Sequence, residues 1–261
     1  MAFETIRLET DGLIARLTLN RPEKRNALTP VMISEITQAL EEAASSTALV
    51  MILTGAGEAF CSGMDIGALQ SLSSHSVQDA VEDSRRIAAM FRALYNFPKA
   101  VISVVRGAAV AGGCGLATLT DFTLSEPETK FGYPEVRIGF IPAIVSVFLV
   151  RQIGEKRAGS LLLTGRLFGA EEGRELGLVS EIIPNDQLAG RADKLAEQLL
   201  SVSPTSIRYT KRLLRDVSAA ELDREIELAI EANARIRSTD NFKEGISAYL
   251  EKRKPGWRSD E

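Results

Sequence analysis

The chain has 261 residues, 45% of them hydrophobic and 25% charged, with a formal net charge of −4. That length supports a full hydrophobic core, and the acidic balance gives no electrostatic reason to expect nucleic acid. Two cysteines without C-x-x-C spacing, Cys61 and Cys114, exclude a disulfide framework and fit a reducing, cytoplasmic setting.

Residues 3–10 and 13–20 predict two strands joined at Asp11-Gly12, a strong hairpin signal. Leu13, Ala15, Leu17 and Leu19 alternate with more polar neighbours, so one face of the hairpin covers a core. After Asn20-Arg21-Pro22, residues 23–28 form a polar loop with two adjacent cations, Lys24 and Arg25. A solvated loop and a phosphate contact are both open for this pair. Thr29-Pro30 reads as an N-cap followed by proline in the first helical turn. Met32, Ile36, Ala39, Leu40 and Ala43 supply that helix's apolar face.

Residues 48–53 predict a short apolar strand running into TGAGEAFCSGMDI, residues 54–66, where small residues turn toward a helix. Phe60 replaces the third glycine of a dinucleotide fingerprint, and Ser62 is not in a G-x-S-x-G elbow. His75, the single histidine, sits in a serine-rich stretch and reads as a loop residue. Nothing around it has metal-ligand spacing, so no metal site is expected. Ile87, Met90, Phe91 and Leu94 predict a long amphipathic helix ending before Pro98.

The stretch 101–142 carries the most chemistry. It opens on a buried strand, Val101-Ile102-Ser103-Val104-Val105, and continues through residues 107–113, GAAVAGG, almost without side-chain bulk. A helix follows, with Leu116, Ala117 and Leu119 facing inward, and stops near Asp121. Backbone N–H groups left unshielded where a glycine pair starts a helix suit a carbonyl oxygen on which negative charge is growing. The turn at 54–66 is a second place of that kind, and two such turns can each give one N–H to a single oxygen. Twenty residues on, Glu135 follows a proline in an apolar neighbourhood, where a carboxylate has a raised pKa and moves protons near neutral pH. The plainer alternatives are close packing for the glycines, and a cap or an Arg137 pairing for Glu135.

Beyond Pro142, residues 143–154, 155–164 and 170–176 predict helices and 178–183 a strand. From 186 the patterns are helical only: 186–201, 204–216, 219–237 and 240–252. The change marks a boundary near 185 between a core region, 1–185, and a C-terminal helical region, 186–261. The longest apolar run, 138–150, is broken by Gly139 and Pro142 and is too short to span a bilayer. The N-terminal residues lack the apolar core of a signal peptide.

Read together, these stretches resemble the enoyl-CoA hydratase/isomerase (crotonase) family over nearly the whole chain. The likeness rests on Asn20-Arg21-Pro22 through Asn26-Ala27-Leu28, residues 59–66, Gly112-Gly113-Cys114 with Asp121, and Phe131-Gly132-Tyr133-Pro134-Glu135 through Gly139-Phe140-Ile141-Pro142. Near the end, Glu244-Gly245 and residues 251–255 also match. The resemblance implies an α/β fold, a crotonase-like spiral of repeated ββα units with a C-terminal helical trimerisation region, assembled as a homotrimer or a dimer of trimers. It implies an acyl-CoA thioester as substrate, with no cofactor beyond the coenzyme A that the substrate carries. By the family pattern the N–H groups of Met64 and Gly112 bind the thioester oxygen. Lys24 or Arg25 and Ala27 lie along the CoA nucleotide, and the backbone of Ser62, Gly63, Met64, Asp65 and Ile66 lines the adenine and pantetheine path.

One position departs from that pattern. The family's two-carboxylate hydratases carry a glutamate where this chain has Gly115; the other glutamate is present as Glu135. The resemblance therefore implies an enoyl-CoA hydratase in which Glu135 transfers protons, with a Δ3,Δ2-enoyl-CoA isomerase using the single Glu135 as the alternative. A catalytically weak CoA-thioester-binding protein is a third reading. Room at Gly115 for a bulkier or branched acyl chain is equally open, as is whether another carboxylate, Asp65 or Glu58, takes the missing place.

Overall fold

The computed structural model describes residues 3–72, 76–217 and 219–257; His75 lies outside the described residues. β1 (Ile6–Asp11) and β2 (Ile14–Leu19) form the expected antiparallel hairpin, with Asp11 facing Ile14 across the turn. Ala15, Leu17 and Leu19 are buried as their alternation predicts, whereas Leu13 is drawn into the turn and exposed. α1 (Pro30–Ser45) starts at Thr29, whose hydroxyl accepts the Met32 N–H, and buries all five predicted apolar residues together with Ile33. β3 (Val50–Gly55), α2 (Ile66–Leu72) and α3 (Val77–Tyr95) follow. All six residues of β4 (Ala100–Val105) are buried, as a β-branched run requires.

Next come β5 (Ala108–Val110), α4 (Gly112–Thr118), β6 (Phe122–Ser125), β7 (Lys130–Gly132) and a 3-10 turn at Pro134–Ile138. α5 (Ala143–Ile153), α6 (Glu155–Thr164), β8 (Leu167–Gly169), α7 (Ala170–Glu175) and β9 (Glu181–Ile182) complete the mixed part of the chain. The remainder is helical: α8 (Asn185–Leu200), α9 (Pro204–Asp216), α10 (Ala219–Ile236) and α11 (Asp240–Leu250).

The strands make two sheets. The larger has the order β1-β2-β3-β4-β6-β9, parallel except for the first hairpin; the smaller has the order β5-β7-β8. One face of the large sheet takes α8, whose Leu188, Ala192, Leu195 and Ala196 pack on Val50, Ile52, Ile102, Val104 and Leu124. The main core, with residues of α1, α3, α4, α5 and α10, lies on the other side. β3 and β4 each leave the large sheet through small residues and run on toward the small one. There Cys61 bridges Ala109 in parallel, so the two exits travel side by side. That junction positions the candidate site.

Candidate active site

From the bridge at Cys61 and Ala109, three further residues along each chain lead to Met64 and Gly112. Cys61 donates its N–H to Ala108 O at 3.1 Å and accepts the Val110 N–H at 3.0 Å, which fixes the register. A Cβ on Gly63 would lie 2.6 Å from the Ala111 Cβ, so the strands remain in contact up to the two turns. Neither the Met64 N–H nor the Gly112 N–H has an acceptor among the described residues. Met64 is bypassed because Leu28 bonds around it, donating to Gly63 O at 2.7 Å and accepting from Asp65 N at 2.9 Å. Gly112 opens α4, where the first amides have no intrahelical partner.

The turn into α4 is built by an alanine. Ala111 has φ +52° and ψ −131°, a conformation that costs an L-residue of order 1–3 kcal/mol, and its N–H is held by Gly132 O at 2.8 Å. The sequence drew attention to the glycine pair here, not to Ala111. Those glycines serve close approach instead: a Cβ on Gly113 would lie 2.3 Å from Cys61 O, and one on Gly112 3.2 Å from Leu28 Cδ1.

Glu135 comes toward the first turn of α4 from the small sheet. β7 pairs with β5 so that Gly132 faces Val110, and the chain then turns at Pro134 into the 3-10 segment. The Glu135 residue is 8% exposed, and its Oε2 has no hydrogen-bond partner. Burial pushes its pKa up to about 8. It stands near enough to Cys114, on the first turn of α4, for its charge to add to the rise of that thiol's pKa, which burial takes to about 12. Tyr133 is buried between Cys114 and Thr118 and is likewise held well above its ordinary value, first by burial. Near neutrality the carboxyl is therefore the group here that titrates.

Lys24 and Arg25 are exposed at the rim, with no carboxylate partner among the described residues. Arg25 and Asn26 both take left-handed φ, +50° and +53°, which carries the loop over residues 62–65. There Arg25 O accepts the Ser62 N–H at 3.0 Å. Ala27 is buried beside Leu28. Asn26 has a role that sequence reasoning passed over. Fully buried, it donates to Ala56 O and Ala59 O and accepts from Arg21 N, stapling the basic loop to the glycine turn. Ser62, Gly63 and Ile66 line up along this joint, and Asp65 starts α2, accepting from Gly67 N and Ala68 N. Asp65 also stands 3.5 Å from Arg21, so its carboxylate is already engaged; Glu58 is exposed.

Room beside Gly115 is absent. A Cβ there would lie 2.6 Å from Val145 Cγ1 and 3.0 Å from Phe91 Cε1, so apolar side chains occupy the place of a second carboxylate. No cluster of three or more His, Cys, Asp or Glu able to hold a metal occurs among the described residues, and none of their helices is long and apolar enough to cross a membrane.

The family model described as Enoyl-CoA hydratase/isomerase matches residues 9–260. A Thermus thermophilus protein provisionally named an enoyl-CoA hydratase is 42% identical over 94% of this chain and 97% of its own. Crotonyl-CoA hydratase of Syntrophomonas wolfei is 32% identical over 99% and 100% of the two chains. Among solved structures, an enoyl-CoA hydratase/isomerase from Xanthobacter autotrophicus superposes with a TM-score of 0.88 at 30% identity, covering 95% of this chain and 94% of that one. With parallel turns that present two unpaired amides, and a match that runs from the first strand to the last residues, this chain has the crotonase fold and belongs to the enoyl-CoA hydratase/isomerase family.

Proposed function

We propose that the protein is an enoyl-CoA hydratase, adding water reversibly across the double bond of a 2-enoyl-CoA. What supports this is the buried Glu135 carboxyl, whose Oε2 has no partner and which stands near Cys114 in the first turn of α4, together with two N–H groups without an acceptor, those of Met64 and of Gly112, which opens the same helix. Those amides polarise the thioester oxygen, so that charge arriving at the α-carbon is held as an enolate. Ionised Glu135 takes a proton from water as its oxygen bonds to the β-carbon, then returns that proton to the α-carbon. The carboxylate ends as it began, and no cofactor enters beyond the CoA of the substrate. Lys24 and Arg25 meet the CoA phosphates; Ala27 and the backbone of Ser62, Gly63, Asp65 and Ile66 line the path inward.

The relatives named as hydratases favour water addition over isomerisation by the same residues. The test uses trans-2-butenoyl-CoA in oxygen-18 water, read by mass spectrometry. Labelled 3-hydroxyacyl-CoA from the native enzyme, with a loss of several orders of magnitude in Glu135→Gln, is the expected result. Conversion of a 3-enoyl-CoA without any labelled product would overturn it.

Two further points belong to this reading. Residues 1–185 supply the reacting groups, and 186–261 form the helical assembly region of a homotrimer or a dimer of trimers, meeting α5 and α6 of a neighbouring chain. The buried free thiols of Cys61 and Cys114 fit a cytoplasmic enzyme.

A further inference from the structure

The matching pair Glu244-Gly245 near the end of the chain has no part in the chemistry above, yet α11 lies directly on the segment that carries Glu135. A Cβ on Gly245 would lie 2.2 Å from Ile138 O and 2.3 Å from its carbonyl carbon. The contact is reciprocal: a Cβ on Gly139, which caps the 3-10 turn at φ +65°, would lie 2.2 Å from Asn241 O. Helix and turn thus meet backbone to backbone through two glycines, with no side chain between them to yield. Beside that contact the Phe140 and Phe242 rings pack at 5.2 Å. Phe140 also donates its N–H to Glu135 O at 3.0 Å. The same apolar cluster holds Ile246 and Leu69 of α2 and has Met64 packed against it, so the cluster that α11 joins reaches both the proton carrier's turn and Met64.

The helix is itself fixed at both ends. Thr239 caps its start by accepting the Phe242 N–H. From the middle of the helix Glu244 takes a two-pronged bond from Arg253 and accepts the Gly256 N–H at 2.7 Å, folding the tail beyond the far end back onto the helix. A rigid rod pinned in this way transmits its position to whatever it touches.

We infer that Gly245 is a positioning residue for catalysis: its contact with Ile138, and that of Gly139 with Asn241, set where the Glu135 carboxyl stands. This rests on the reading of Glu135 as the proton carrier. Displacing a reacting group by about an ångström costs on the order of 10²-fold in rate, because the proton is then delivered off line. Loosening α11 also lets water reach the carboxyl, which favours its ionised form. Few other charges compete for that effect. Arg137 of the turn, Asp240 and Lys243 of α11, and Glu155, Lys156 and Arg157 of α6 are all exposed. Glu244 is engaged with Arg253, while Cys114 and Tyr133 are uncharged near neutrality.

The experiment measures kcat, KM and the pH dependence of kcat/KM on trans-2-butenoyl-CoA for the full-length protein and for Gly245→Ala, Phe242→Leu and Glu135→Gln, with thermal unfolding alongside. Gly245→Ala is expected to lose at least tenfold in kcat with KM within twofold of native, and to shift its acid limb to lower pH. Phe242→Leu keeps both glycines and loosens the helix, so it shifts the acid limb in the same direction by less and decides the matter if Gly245→Ala does not fold. Variants that lose only melting temperature, with native kcat and native pH profile, overturn the inference. An active Glu135→Gln instead overturns the role of Glu135 itself.

Discussion

At Glu135 a single residue sets both the pH response of the reaction and a cost in stability. With a folded pKa of about 8, the carboxyl is mostly protonated at pH 7. In its proposed role, taking a proton from water, it must be ionised, so kcat/KM is expected to climb with pH and level off above about 8. A profile flat from pH 6 to 9 would contradict this. The stability effect has the opposite sense. Between the unfolded value near 4.5 and the folded value near 8, the native state holds a proton that the unfolded state has released. Rising pH therefore favours unfolding across that window. Glu135→Gln removes the titration, so its melting temperature relative to native is expected to be higher at pH 8.5 than at pH 5. Gly115 poses a question of sign at the same scale. Replacing a mid-helix glycine by alanine favours the helix by about 1 kcal/mol, but overpacking a core costs about 1–3 kcal/mol. With Val145 Cγ1 only 2.6 Å from the new methyl, overpacking wins. Gly115→Ala is expected to lower the urea midpoint, and Val145→Ala in the same chain to restore part of the loss.

Among the elements, α9 shows how a helix with no buried residue is nonetheless fixed in place. Lys211, half-buried, bonds the Asp121 carboxylate and Lys99 O, while Arg215 lies 4.0 Å over the Tyr95 ring. Asp121 also accepts the Val101 N–H at 2.8 Å, tying the start of β4 to α9. Removing one partner of such a pair leaves the other charge buried alone. Asp121→Ala is thus expected to cost about 3–5 kcal/mol in a denaturant titration, against less than about 1 kcal/mol for truncating the exposed Arg212–Asp216 pair. Asp121 was visible in the sequence as the place where a helix stops and as one residue of the family likeness, with no sign of what it binds. Its partner lies 90 residues away, and no periodicity connects them. The long elements were legible because helices such as 77–95 and strands such as 100–105 repeat their apolar signal several times. β5, β7 and β8 have three residues each, too short for alternation to register, and their pairing is entirely long-range. The site divides in the same way. Glu135 and the glycine turns stood out in the sequence as site candidates, whereas the strain at Ala111, the staple at Asn26 and the apolar filling at Gly115 depend on neighbours distant in sequence.

For the molecule as a whole, the question is what covers its exposed apolar surfaces. α9 and the residue that follows it present Tyr209, Leu213, Leu214 and Val217 to solvent, each more than half exposed. On another part of the surface Val150, Leu163 and Leu228 edge a groove between α5, α6 and α10, lined further by Val147, Leu162 and Ala229. A ridge and a separate groove on one chain make a head-to-tail contact rather than a self-complementary one, and repeating such a contact closes a ring when the rotation allows. If the proposed trimer is a ring of that kind, the ridge of one chain and the groove of the next are the two apolar surfaces available to exclude water from each other. Light scattering of the native protein is then expected to give three or six times the chain mass. Leu213→Asp and Leu163→Asp, placed on the two surfaces and on exposed side chains, each leave the fold intact by circular dichroism and reduce the mass to that of one chain. A native protein that runs as a monomer at micromolar concentration would refute the ring, and would leave both surfaces without a partner in the same chain.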